Sequence, residues 1–170
     1  MPIIATAGDG KVFTPAPEGT HQAVCVDVID AGMHDNPFQP GKQQHKIDIV
    51  WQLNEMRDDG QRYQAWKRYT LSLNEKAVLR HDLESWRGRP FTADELRGFD
   101  VAAVTGANCL INIVHRTSQT NPGRVYGNVA SVMPLIKGMP KIAADGYVRR
   151  TSEPEPQTQD DPVELDSIPF

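Results

Sequence analysis

The chain has 170 residues, 39% of them hydrophobic and 24% charged, with a formal net charge of −4, five histidines and two cysteines. That length holds one domain of ordinary size plus an appendage and excludes a second full domain. No apolar run approaches the roughly 20 residues that span a bilayer, and Met1-Pro2-Ile3-Ile4-Ala5-Thr6 lacks a secretory pattern, so no membrane association and a cytoplasmic location are expected.

Residues 1–19 read as an irregular lead-in, with Gly8, Gly10, Pro15 and Pro17 breaking any period. A domain is expected over 20–148. From Thr20 the recurrence of Val24, Val26 and Val28 has the period of a half-buried strand. Cys25 and Cys109 sit in β-like apolar runs and read as small buried hydrophobes rather than a disulfide or a metal pair. Ala31–Gln44 carries Gly32, Asn36-Pro37 and Pro40-Gly41, which predicts a long loop in which Phe38 and Lys42 could clamp a ligand. A second strand places Ile47, Ile49, Trp51 and Leu53 on one face and Lys46, Asp48 and Gln52 on the other, ending at Asp58-Asp59-Gly60. In a third run, Arg62 to Leu73, Tyr63, Ala65, Tyr69, Leu71 and Leu73 look core-facing despite Lys67, leaving Arg62, Gln64, Trp66 and Arg68 opposite. Ser72-Leu73-Asn74-Glu75 reads as a capping box for a helix carrying Leu79, Leu83 and Trp86 and ended by Gly88, and Thr92-Ala93-Asp94-Glu95 could cap a further short turn. Cys109, Ile111 and Ile113 mark a fourth strand and Val125 and Val129 a fifth, joined through Asn121-Pro122-Gly123. On the fifth strand Arg124, Tyr126 and Asn128 share the other face.

Three strands, one helix and two strands is the element order of the OB-fold, a five-stranded Greek-key β-barrel that commonly binds oligonucleotides. A mainly β protein of that class is therefore expected. A sequence-nonspecific binder of single strands needs aromatic platforms interleaved with cations that follow the phosphates. Trp66 with Arg62, Lys67 and Arg68, and Tyr126 with Arg124, supply that pairing; Lys42 and Lys46 add positive charge, and Trp51 and Trp86 are assigned to the core.

The charge is segregated: residues 151–170 contain Glu153, Glu155, Asp160, Asp161, Glu164 and Asp166 and no Lys or Arg, so the rest of the chain carries a small positive excess. With Pro154, Pro156, Pro162 and Pro169 and little apolar content, 149–170 is expected to be a disordered acidic tail. Asp166-Ser167-Ile168-Pro169-Phe170, preceded by Asp160-Asp161 and Glu164, resembles the C-terminal tip of bacterial single-stranded DNA-binding proteins, which end in Asp-Ile-Pro-Phe. Ser167 departs from that pattern, standing where those tips usually carry an acid. Phe13-Thr14-Pro15-Ala16-Pro17-Glu18-Gly19-Thr20 and Lys67-Arg68-Tyr69-Thr70-Leu71-Ser72-Leu73 resemble phage-encoded single-stranded DNA-binding proteins, a likeness covering most of residues 12–137. The resemblance implies an OB-fold, nonspecific single-strand binding in phage replication, recombination or repair, and host or phage proteins docking on Asp166, Ile168, Pro169 and Phe170. A homo-oligomer is compatible with it, and no cofactor or catalytic residue is implied. Rival readings are a strand-annealing or recombination mediator, a protein-interaction adaptor that never touches DNA, and a metal-dependent nuclease using Asp27, Asp30, Asp48 and Asp58.

Overall fold

The computed structural model describes residues 15–120 and 123–147; the acidic segment and its tip lie outside them, as do Asn121 and Pro122 of the expected turn. The protein is mainly β. Five strands, β1 (Gly19–Asp35), β2 (Gln43–Met56), β3 (Arg62–Thr70), β4 (Asn108–Thr117) and β5 (Val125–Met133), form one antiparallel sheet in the order β3-β2-β1-β4-β5. The edge strands β3 and β5 approach within 8 Å (Cα–Cα), yet no ladder joins them and the sheet is not closed into a barrel. Among the described residues no helix is long and apolar enough to cross a membrane.

The alternation of β2 sets the core: Ile47, Ile49, Trp51 and Leu53 are buried on one face, with Ala23 and Cys25 of β1, Ala65 and Tyr69 of β3, Cys109, Ile111 and Ile113 of β4, and Val129 and Val132 of β5. Burial pushes the Cys25 thiol up to about 12 and raises Cys109 as well, so both stay neutral and pack as apolar groups. Trp51 and Trp86 meet in this core with ring centroids 5.9 Å apart.

Between β3 and β4 lie the expected helix, α1 (Val78–Arg87), the short helical turn expected after Thr92, α2 (Ala93–Arg97), and in addition a 3-10 turn, Val101–Val104. Leu79, Leu83 and Trp86 of α1 recur at helical spacing and are buried, and Gly88 ends the helix in the left-handed conformation (φ 73°), its N–H donating to the Glu84 carbonyl at 2.9 Å. The capping box expected at Ser72–Glu75 does not form. Ser72 Oγ instead accepts from the Asn74 N–H at 3.2 Å, a local turn, and α1 begins after Ala77 without a side-chain cap. The reciprocal box does occur at Thr92 and Glu95, starting α2.

Helix α1 lies between the two edge strands. Asp82 accepts from Lys67 Nζ (2.9 Å) and the Tyr69 hydroxyl (2.7 Å) on β3, while the Ser85 hydroxyl donates to the Val132 carbonyl on β5 at 2.7 Å. One helical turn thus ties together the strands that the ladder leaves apart.

The loop expected over Ala31–Gln44 is shorter, residues 36–42, because both flanking strands extend into it. Register slips between Asp30 and Gly32, where the Asp30 carboxylate accepts from the Gly32 N–H at 2.8 Å and contacts His45 Nε2 at 2.6 Å, and Gly32 takes φ 77°. This bulge absorbs Gly32, so β1 runs on to Asp35, and the remaining breakers, Asn36-Pro37 and Pro40-Gly41, form the turn at residues 36–42. The His45 contact also lowers the Asp30 carboxyl below its usual range. A second bulge, at Val26, prevents Val24, Val26 and Val28 from sharing a face: Val24 pairs with Gln52 on the side away from the core, whereas Val28 pairs with core-facing Ile49. The third run ends as a strand at Thr70, leaving Leu71 41% exposed rather than in the core.

Candidate nucleic-acid interface

Strand alternation puts every second residue on the sheet face opposite the core. Register then defines rows across the strands: Gln64–Gln52–Val24–Asn108, Trp66–Val50–Asp27 and Arg68–Asp48–Ile29, with Arg116–Tyr126 at the far side. Trp66 and Tyr126 therefore lie on the same non-core face, on the two edge strands, both half-buried. Each carries an arginine: Arg68 lies 5.9 Å from the Trp66 ring centroid and Arg124 lies 5.4 Å from that of Tyr126. Such a pair holds the ring in place while offering a cation beside it.

The remaining expected contacts separate. Arg62, on the same face, donates to the Ala143 carbonyl at 2.7 Å. Arg68 also makes a two-bond contact with Asp48, at 2.8 and 3.0 Å, which offsets part of its charge. Phe38, 56% exposed, and exposed Lys42 sit in the 36–42 turn at the end of the long β1–β2 hairpin, where the Asn36 N–H donates to the Lys42 carbonyl at 2.8 Å.

Two expected cations do not belong to this surface. Lys46 is 1% exposed and donates to Thr70 Oγ1, its register neighbour on β3, at 2.6 Å. Lys67 follows the alternation of Ala65 and Tyr69 toward the core side, where it pairs with Asp82. The carboxylates weighed for a nuclease are dispersed among different partners: Asp27 accepts from Tyr147, Asp30 contacts His45, and Asp48 pairs with Arg68. Among the described residues no three His, Cys, Asp or Glu side chains gather as a metal-binding group.

Part of this face is covered by the segment 138–147 after β5, called here the strap. It is held by side chains from four strands. Gln22 Nε2 donates to the Pro140 carbonyl (2.6 Å), and Tyr147 donates through its hydroxyl to Asp27 (2.8 Å). Asn108 and Gln52 each make a two-bond amide pair with strap backbone: Asn108 with the N–H and C=O of Ile142 (2.8 and 2.9 Å), Gln52 with those of Asp145 (2.8 and 2.7 Å). Val24 and Gln52, on a sheet face that would otherwise meet water, are 1% and 2% exposed.

The strap left no mark that sequence reading could use. It has no period, and its contacts join residues 34 to 120 positions apart. Arg116, exposed and opposite Tyr126, was also missed, since only the β4–β5 register places it there. No protein-family model matches the chain, and comparison with curated proteins gives no match.

Proposed function

We propose that the chain binds single-stranded DNA without sequence preference through the non-core face of an OB-fold domain. The observation that carries this reading is the pair of aromatic–arginine couples, Trp66 with Arg68 and Tyr126 with Arg124, at opposite edges of one sheet face. Every base has a π-face and every nucleotide a phosphate, so stacking platforms flanked by cations recognise a strand without reading its sequence. The OB-fold assignment is supported by the strand order β3-β2-β1-β4-β5, which would become a barrel if β3 and β5 paired, and by α1 lying between those edges. The likeness to phage-encoded single-stranded DNA-binding proteins points the same way, toward replication, recombination or repair.

The test is a titration of a fluorescein-labelled dT20 oligonucleotide, followed by anisotropy over a salt series. Arg62, Arg124, Arg116 and Lys42 are the cations offered, and at about −0.7 per phosphate on single strands the slope of log affinity against log salt should be about −3. Absence of binding, or an affinity indifferent to salt, would overturn the reading.

The acidic segment 151–170 has two roles in this proposal. Tyr147 is anchored to Asp27 on the binding face, and Glu153, six residues further on, can lie no more than about 22 Å away at full extension. The six carboxylates of the segment are thereby tethered to the domain that carries the cations, which makes their competition with DNA intramolecular. Deleting residues 151–170 should tighten dT20 binding severalfold at low salt, with the gain vanishing as salt screens the charges. Asp166, Ile168, Pro169 and Phe170 form the docking element for replication and repair proteins. Phe170→Ala should leave dT20 affinity unchanged while abolishing capture of those partners in a pull-down; equal capture by both proteins would return the segment to a purely electrostatic role.

A further inference from the structure

We propose that the strap and single-stranded DNA occupy the same face in turn: residues 138–147 cover the site in the free protein and are displaced when a strand binds. The inference rests on the single-strand reading above and adds to it a built-in competitor and two contact residues, Gln52 and Asn108.

The geometry of the strap resembles that of a bound strand. Asn108 and Gln52 lie on β4 and β2, with β1 between them, a separation of about 9.6 Å at the usual strand spacing. The strap residues they hold, Ile142 and Asp145, are three apart, which an extended chain spans in about 10 Å. The strap therefore crosses the strands nearly perpendicular and nearly extended, passing over Val24. It uses what a nucleic acid would use. Arg62, one of the few cations on the face, is engaged by a strap carbonyl at 2.7 Å, where a phosphate oxygen would be the stronger acceptor. The Asn108 and Gln52 amides present to the strap a donor and an acceptor side by side, the same pair that an amide presents to a base edge.

The hold is also of a kind that can be exchanged. The strap's contacts to the face are side-chain hydrogen bonds and not a backbone ladder, and each hydrogen bond contributes only modestly once water can replace it. Ile142 and Tyr147 are only partly buried, so the strap adds little to the apolar core on the other side of the sheet.

The test removes the strap's donors without touching the face. Ile142→Pro and Asp145→Pro together delete the two N–H groups that Asn108 and Gln52 accept, in the full-length chain. The balance between covered and open states should shift by about tenfold, and the apparent affinity for dT20 should rise by the same factor. Hydrogen exchange on the wild-type chain gives an independent reading: the Ile142 and Asp145 amides should be protected in the free protein and lose that protection when dT20 saturates it. A folded double variant with unchanged or weaker affinity, or amides that stay protected in the complex, would show the strap to be a fixed wall and overturn the proposal. Should the variant fail to fold, exchange on the wild-type chain decides alone. If neither protein binds dT20, the single-strand reading itself falls and takes this one with it, an outcome distinct from binding without displacement.

Discussion

Replacing Trp66 and Tyr126 together by alanine should lower the affinity for dT20 by about thirtyfold or more and leave the melting temperature close to that of the parent. Stacking of a base on an aromatic side chain contributes about 1–3 kcal/mol by alanine substitution, so two lost platforms remove about 2–6 kcal/mol if they act independently. The rings belong to different strands and each has its own arginine, so each can stack a base of its own. Stability should change little, since both rings stand on the face away from the core and neither belongs to the buried cluster. Trp51 provides the contrast. It is fully buried, and its truncation should cost about 3–5 kcal/mol of folding free energy. Anisotropy titrations and thermal melts on the same preparations separate the two effects; a collapse in melting temperature with the double variant would show the rings to be structural.

The largest expected loss of stability from a polar residue is at Asp82. Its carboxylate, in a side chain 8% exposed, receives both Lys67 Nζ and the Tyr69 hydroxyl, and Lys67 itself is 12% exposed. Asp82→Ala leaves an ammonium group on the core side of the sheet with its counter-charge removed, and breaking a buried pair in this way costs about 3–5 kcal/mol. Because α1 contacts β3 through this carboxylate, the link between helix and edge strand loosens at the same time. Lys67→Met with Asp82→Leu should restore much of the loss, since removing both charges avoids the unpaired one. Urea unfolding followed by circular dichroism measures both; a double variant as unstable as Asp82→Ala would mean that hydrogen bonding to Tyr69, not charge pairing, dominates the site.

The strands that alternate cleanly were legible in the sequence. Ile47, Ile49, Trp51 and Leu53, and likewise Cys109, Ile111 and Ile113, lie in the core as their period of two requires. The same period separates Trp66 from Ala65 and Tyr69, so the faces of β3 could be read before the fold was known. Where the period breaks, reading failed. The bulges at Val26 and Ala31 each insert one residue, which moves Val24 away from the core and carries β1 past Gly32 to Asp35, so the loop is shorter than its first glycine signals. The faces of Lys67 and Lys46 were legible, but their partners were not: Asp82 and Thr70, the groups that receive them, come from elements whose packing the local sequence does not encode. The strap contacts are tertiary throughout and have no local signature.

The β1–β4 ladder has a kinetic consequence. It joins Gly19 with Ile113 and Val24 with Asn108, partners 94 and 84 residues apart, whereas β1–β2, β2–β3 and β4–β5 pair near neighbours in the chain. Contacts of long sequence separation carry the largest loop-closure entropy and form slowly, so the β1–β2–β3 meander and the β4–β5 hairpin can arise before they join. Trp66 belongs to the first of these pieces and Tyr126 to the second. A chain caught between the two stages carries one of these aromatic rings per fragment and no continuous face, so under the proposed function the capacity to hold an extended strand should arise only at the last and slowest pairing step.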